Sequence, residues 1–276
     1  MNLRKYMRPR IALTNEHGSW VFLFSPLLIG LFAGGQWSSA SIYLTLAALA
    51  GFLVRHPVII AVKAYSGRRS KEDLPAAHFW IGVYSALGIV MVAGLIMRGF
   101  GYVLYLAIPG IPVFLWHLYL VRKRAERRKI GIEIVASGVL ALCAPAVYWI
   151  GTGAPDSMGW WLWGLTWFQS AASIVYAYLR LEQRVLKQIP ALSTRLRMSR
   201  RSLLYTTFNL AAAVLLSLSD QFPTWMPLAF AIQWLETLWG GLLRPAVGFK
   251  ATTIGFRLLA VSTLFTIVFI MAWRLS

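Results

Sequence analysis

Acidic residues and cysteine are scarce in this chain, which has 276 residues but only nine Asp or Glu and one Cys. The single cysteine, Cys143, lies in an apolar stretch, so neither a disulfide framework nor a cysteine metal site can form within one chain. Charged residues make up 13% of the sequence and apolar residues 58%. This balance excludes an ordinary soluble protein and indicates a polytopic membrane protein.

Metal-ligand spacing is also missing. The chain has four histidines, but no two of them stand at i, i+3 or i, i+4, and no HxxH or ExxH motif occurs. Helical metal sites place their ligands at such intervals, so we expect neither a metal nor another cofactor.

Apolar stretches dominate the rest of the sequence, and a membrane helix needs about 20 such residues. Runs bounded by charge, Gly, Pro or aromatic residues predict an all-α protein with about nine transmembrane helices in one bundle. No linker or low-complexity tract interrupts them, so we expect one integral membrane domain over 1–276, with 1–15 as a cytoplasmic N-terminal segment. The nine predicted spans are 18–35, 37–54, 76–97, 100–121, 131–150, 158–179, 202–219, 224–243 and 252–273.

Basic residues orient these spans. The run RKRAERRK at 122–129 lies between two apolar stretches, and short loops rich in Lys and Arg stay in the cytoplasm. With nine helices and this loop inside, all of the 27 basic residues except Arg98 and Arg274 fall on the cytoplasmic side. We therefore predict an inner-membrane protein with a cytoplasmic N-terminus and an outer C-terminus. The basic excess then reflects topology, and no nucleic acid partner is expected.

Ionisable side chains in or beside membrane helices need partners or a watered cavity, so each is a candidate site residue. Six lie near the predicted cytoplasmic face: Glu16, His17, Arg55, His56, Glu133 and Glu236. Helix capping or packing explains the Glu16 and His17 pair equally well. A structural ion pair with Arg244 or Arg257 is an equally good account of Glu236.

The end of the sixth predicted helix, YAYLRLEQRVLK, adds three candidates. Arg180 and Arg184 share a helix face at i and i+4, and Tyr176 precedes Arg180 by one turn on the same face. Stacked arginines repel each other, and a phosphate, diphosphate or lipid headgroup would relieve that repulsion.

Three short motifs resemble a known family. The EHGSW motif at the first helix, the RHP motif in the second and the basic run after the fourth resemble the YwiC-like family of bacterial membrane proteins, over most of the chain. More remotely, nine helices with prominent loops after helices two, four and six are similar to the UbiA-type prenyltransferase superfamily. That resemblance implies a UbiA-prenyltransferase-like fold whose Asp-rich motifs hold Mg²⁺ against a prenyl diphosphate.

The chain departs from the prenyltransferase pattern at those motifs. Arg180 and Arg184 stand where the family has aspartates, and Arg55, His56 and Lys63 replace its Asn-Asp motif. Because carboxylate oxygens hold Mg²⁺, the resemblance supports the fold and not the Mg²⁺ chemistry.

Two functions remain open at this point. In the first, Glu16, His17, Arg55, His56, Glu133, Tyr176, Arg180, Arg184 and Glu236 surround a basic cavity that opens to the cytoplasm. The cavity binds a membrane lipid, such as an anionic or diphosphate-bearing isoprenoid, as a binder or as a metal-free enzyme. In the second, the protein is a carrier or membrane assembly factor with a proton or cation route through Glu16, His17, Glu133 and Glu236.

Overall fold

Helices are the only regular secondary structure in the described ranges, so the prediction of an all-α protein is confirmed. The computed structural model describes residues 6–13, 17–125 and 130–275. The α-helices in these ranges are α1 (Pro9–Ala12), α2 (Val21–Ala33), α3 (Ser39–Tyr65), α4 (Leu74–Met97), α5 (Gly110–Arg122), α6 (Ile130–Ala141), α7 (Cys143–Thr152), α8 (Ser157–Gln183), α9 (Leu192–Leu218), α10 (Met226–Leu238) and α11 (Ala251–Arg274). Three 3-10 turns, His17–Trp20, Lys71–Asp73 and Gly101–Ala107, precede α2, α4 and α5, and a π-helical turn, Trp239–Leu243, ends α10.

Six helical segments of the described chain are long and apolar enough to cross a membrane, as expected for a multi-pass membrane protein. They are Ser39–Tyr65, Lys71–Met97, Gly101–Arg122, Ile130–Thr152, Leu192–Leu218 and Ala251–Arg274. The remaining predicted spans are helical as well, but Gly18–Ala33 and α10 are short. Helix α8 is long enough, but the polar side chains along it lower its hydropathy.

The second predicted helix continues past its predicted end at residue 54, because the residues after Arg55 and His56 are still largely apolar. Helix α3 runs from Ser39 to Tyr65 and passes through Pro57. The proline removes one main-chain hydrogen bond, but the helix has enough turns on both sides to continue.

The fifth predicted span is interrupted at Leu142, between α6 and α7. Pro145 explains the interruption, because its ring clashes with the carbonyl four residues earlier and it has no N–H to donate to it. That carbonyl belongs to Ala141, the last residue of α6. The span is therefore two short helices in sequence.

Glycines allow α2 and α7 to approach each other closely. A β-carbon at Gly30 would overlap the carbonyl oxygen of Ala144, and one at Gly34 would lie 3.0 Å from the carbonyl oxygen of Tyr148. Gly151 of α7 in turn faces Gly34. The GxxxG spacing of Gly30 and Gly34 is typical of membrane helices that pack backbone to backbone.

Charged and polar side chains join the N-terminal segment to the loop between α3 and α4. Asp73 accepts hydrogen bonds from Arg8 at 2.7 Å and from Arg69 at 2.6 Å. Arg68 donates to the main-chain oxygen of Val121 at the end of α5. Three segments that carry predicted cytoplasmic charges therefore meet at one end of the helices.

Candidate functional site

A buried polar network joins α8, α10 and α11. Tyr176 Oη donates to Glu236 Oε1 at 2.7 Å, and Arg257 binds the same carboxylate through Nε at 2.6 Å and Nη2 at 2.8 Å. The Tyr176 residue is 1% exposed and Glu236 is 9% exposed, whereas the Arg257 side chain is 44% exposed. The network thus has a buried acid and an arginine that reaches outward.

Arg180 lies next to this network but directs its guanidinium at main-chain oxygens. Its Nη1 donates to the carbonyls of Gly240 and Arg244, the latter at 2.8 Å, and to Gln183 Oε1 at 3.0 Å. Because the residue is 2% exposed, these bonds form away from solvent. Arg180 therefore stabilises the end of α10 in this conformation.

The π turn after α10 owes its shape to such donors. Within the turn, the Gly241 carbonyl accepts from Gln183 Nε2 at 3.2 Å, and the Leu242 carbonyl accepts from Arg195. A β-carbon at Gly240 would overlap Tyr176 Oη, so only glycine permits this approach. Single π turns often occur at functional sites, and this one is held by three side chains from α8 and α9.

Beyond Tyr176, polar residues follow one face of α8 into the bundle. Thr166, Gln169, Ser170 and Ser173 are all buried, at the i+3 and i+4 intervals of a single helix face. The row from Thr166 to Tyr176 is about 15 Å long at the rise of an α-helix. Such a row inside a membrane protein either holds helices together or lines a route for polar species.

Two glutamines face each other in this row. Gln169 Nε2 lies 3.4 Å from Gln233 Oε1 of α10. Gln169 Oε1 and Gln233 Nε2 are buried and have no hydrogen-bond partner among the residues that the structure describes. Buried amide groups ordinarily use both atoms, so this pair can bind a further polar partner.

Two other predicted site residues lie beside α8 in different surroundings. The main-chain oxygen of Arg184 accepts a hydrogen bond from Gly248 N at 3.2 Å, which ties the end of α8 to the segment before α11. Glu133 of α6 accepts from Tyr178 Oη at 2.6 Å at an exposed position. Tyr178 and Tyr176 are two residues apart and point to different sides of α8, so Glu133 is on another face than Glu236.

Arg55 and His56 belong to a different group of helices. The Arg55 guanidinium lies 5.4 Å from the centre of the Phe52 ring, and His56 Nε2 lies 3.2 Å from the main-chain oxygen of Arg10. Helix α3 packs mainly against α4, α5 and α7, whereas the Tyr176 network lies among α8, α10 and α11.

The first helix contributes two predicted site residues, of which little is described. Glu16 and the side chain of His17 lie outside the described residues. The 3-10 turn His17–Trp20 packs against α11, the helix that carries Arg257. Over the described ranges, no three His, Cys, Asp or Glu side chains come together as metal ligands.

Gln169 and Gln233 are not among the predicted site residues, and Arg257 is predicted only as a possible ion-pair partner of Glu236. Neutral amides inside apolar spans carry no charge, so a prediction based on ionisable groups does not include them. The signal was nevertheless present, because Thr166, Gln169 and Ser173 recur at helical intervals within an otherwise apolar segment.

The family model described as YwiC-like protein matches residues 13–148. The predicted resemblance to the YwiC-like family is confirmed over these residues, which make up just under half of the chain.

A curated relative within the YwiC-like group is the uncharacterised protein YwiC of Bacillus subtilis (strain 168). It is 28% identical over 159 residues, which are 55% of this chain and 60% of the relative. The chain therefore covers less than two thirds of that relative. No solved structure matches the chain.

The YwiC-like match divides the predicted site. His17, Arg55, His56 and Glu133 lie inside it, and Tyr176, Arg180, Arg184 and Glu236 lie beyond it. The buried polar network is thus located outside the part of the chain that the family model describes.

Proposed function

We propose that this protein is a carrier of the bacterial inner membrane that passes a proton or a small cation along the interior of α8, α10 and α11. The observation that carries the proposal is the Glu236 carboxylate, bound by Tyr176 and Arg257 inside a helix bundle. Placing an acid in a membrane interior costs free energy. Its presence there therefore indicates a function that needs the charge.

The row of buried polar residues supplies a route from this acid. Gln233 precedes Glu236 by one turn, and Gln169 and Thr166 continue the row along α8. Protonation of Glu236 would weaken its bond to Arg257. The free acceptor, Gln169 Oε1, and the free donor, Gln233 Nε2, could then bind a molecule that carries the proton, such as water. Glu16 precedes and His17 begins the turn that packs on α11, whereas Glu133 could join the route only from the other face of α8.

The irregular end of α10 supports transport as well. Helix α10 ends in a π turn, which lies against Tyr176 and Arg180. Carriers commonly place discontinuous helices at their binding sites, because freed main-chain groups can then bind polar species. In this proposal the chain is one membrane domain with nine spans, a cytoplasmic N-terminus and an outer C-terminus.

A proton-flux assay tests the carrier function. Purified protein is reconstituted into vesicles that contain a pH-sensitive dye, and a potassium gradient with valinomycin sets an inside-negative potential. We expect wild-type protein to acidify the interior and Glu236→Gln to abolish the flux. Glu182→Gln is the matched control, because Glu182 is an exposed acid on the last turn of α8.

Two outcomes would contradict the proposal: wild-type vesicles that acidify no faster than empty ones, or a Glu236→Gln variant that retains full flux. Thermal unfolding of each variant verifies that a loss of flux is not a loss of folded protein.

Binding of an anionic prenyl-type lipid without Mg²⁺ is the second candidate function. One observation favours it: Arg257 is 44% exposed although its partner carboxylate is buried, so a phosphate group can approach the guanidinium from outside. A UbiA-like arrangement of nine helices belongs to this proposal. Native mass spectrometry after purification in mild detergent distinguishes the two, because a retained polyprenyl or quinone species is expected only for the lipid-binding protein.

A further inference from the structure

Helix α9 has two faces of opposite character. Ser199, Ser202, Thr206 and Asn209 form a buried face, and Asn209 donates to the Phe168 carbonyl of α8 at 2.8 Å. The other face is exposed and begins with arginines. One face of α9 is therefore packed against the bundle, and the opposite face presents a basic and apolar surface to the outside.

A groove of about 520 Å³ runs along that exposed face. It is lined by Leu196, Arg197, Arg200, Leu203, Leu204 and Thr207. Arg197, Arg200 and Leu204 recur at helical intervals, so the charged groups lie at one end and the apolar ones follow. From Arg197 to Thr207 the helix rises about 15 Å, half the thickness of a bilayer core.

The arginines of the groove differ from the three arginines that bind α10 and its π turn. Arg180, Arg195 and Arg257 use their guanidinium groups on carbonyls or on Glu236. Neither Arg197 nor Arg200 has a hydrogen-bond or ion-pair partner within the described part of the chain. Two exposed guanidinium groups at the end of an apolar surface fit the headgroup and tail of an anionic lipid.

We propose that this groove binds an anionic phospholipid of the leaflet in which the N-terminus of α9 lies. The phosphate receives hydrogen bonds from Arg197 and Arg200, and one acyl chain follows Leu203 and Leu204 to Thr207. At the far end of the groove, the Thr207 hydroxyl accepts a hydrogen bond from Trp234 Nε1 of α10 at 3.1 Å. The site is separate from the Glu236 network and does not depend on the carrier function.

The experiment measures lipid retention in bilayer nanodiscs made of equal parts phosphatidylglycerol and phosphatidylcholine, followed by native mass spectrometry. We expect wild-type protein to retain phosphatidylglycerol and not phosphatidylcholine. The double variant Arg197→Gln/Arg200→Gln should bind it on the order of twenty-fold more weakly, because it loses two charge-assisted hydrogen bonds to the phosphate.

Two controls separate the groove from general charge attraction. Arg122→Gln/Lys123→Gln removes the same charge from an exposed helix end and should leave retention unchanged. Leu204→Trp fills the groove but keeps both arginines, and it should also abolish retention. Equal losses in the two charge variants, full retention by Leu204→Trp, or equal retention of both lipids would each overturn the proposal.

Discussion

The helices α1–α7 and the helices α8–α11 bury different kinds of side chain. Among the described residues, Ser41 and Ser137 are the buried polar side chains of the first region, and all the others belong to the second. The first region is held by close contact of small residues, as between Gly30 and Ala144. The second is held by hydrogen bonds between side chains and main-chain oxygens, as between Arg180 and Arg244.

This difference indicates where function and scaffold lie. Lipid tails are as apolar as leucine, so helices in a bilayer associate through shape or through polar contacts. Shape alone suffices for a scaffold, whereas buried charge is retained at a cost. The YwiC-like match ends at residue 148, just before the polar region begins, so the two regions also differ in what the family model covers.

The largest expected effect is in the polar region. Arg180→Ala leaves the carbonyls of Gly240 and Arg244 and the Gln183 side chain without their charged donor. Each such bond contributes about 1.5–3 kcal/mol, so we expect a loss of at least about 3 kcal/mol in the free energy of unfolding. Denaturation in mixed micelles measures this, with Arg184→Ala as the control.

The control is close because Arg184 is one turn away on the same helix and contributes its main chain, which the substitution retains. We expect Arg184→Ala to change stability by about 0.5 kcal/mol or less. Equal effects of the two substitutions would show that the polar contacts do not hold the second region together.

A smaller effect is expected from the apolar region. Gly30→Ala forces α2 away from Ala144 of α7, and overpacking of this kind costs about 1–3 kcal/mol. Gly51→Ala is the matched control, because a β-carbon at Gly51 meets nothing within 4 Å and alanine favours the helix. If Gly30→Ala proved as stable as Gly51→Ala in the same denaturation assay, close contact would not be what holds the first region.

The smallest change in stability is expected from a double substitution in the polar region, and it separates a structural role from a functional one. Replacing both Gln169 and Gln233 by leucine removes the two unpartnered atoms together, so stability should change by about 1 kcal/mol or less. Either single substitution leaves one buried amide unpaired and should cost more. Proton flux should nevertheless be lost in the double variant, and retained flux would show that the amides serve packing alone.

The helices could be predicted from sequence more fully than the site. Apolar runs of the required length identify membrane helices directly. The π turn at Trp239–Leu243 could not be predicted, because it depends on Arg180, Gln183 and Arg195 from other helices. Membrane crossing by α2, α8 and α10 remains a prediction.

The acidic residue of the site could be predicted from the sequence, but its partner could not. Glu236 was identified from its place within a span, and both Arg244 and Arg257 were candidate partners. The structure selects Arg257, which projects from α11 towards α10, whereas the Arg244 guanidinium lies 5.8 Å from the centre of the Trp239 ring. Which arginine pairs with Glu236 depends on the relative rotation of α10 and α11, and the sequence of neither helix determines that rotation alone.

The close fit of α2 against α7 also sets an order of assembly. Gly30 and Gly34 meet Ala144 and Gly151, more than a hundred positions later in synthesis. Helix α2 therefore has no partner for this face until α7 has been synthesised. Contacts between such distant segments form late and slow assembly, and an unoccupied GxxxG face can pair wrongly with other helices meanwhile. During biogenesis, α2 is therefore prone to pairing with the wrong helix until α7 is present.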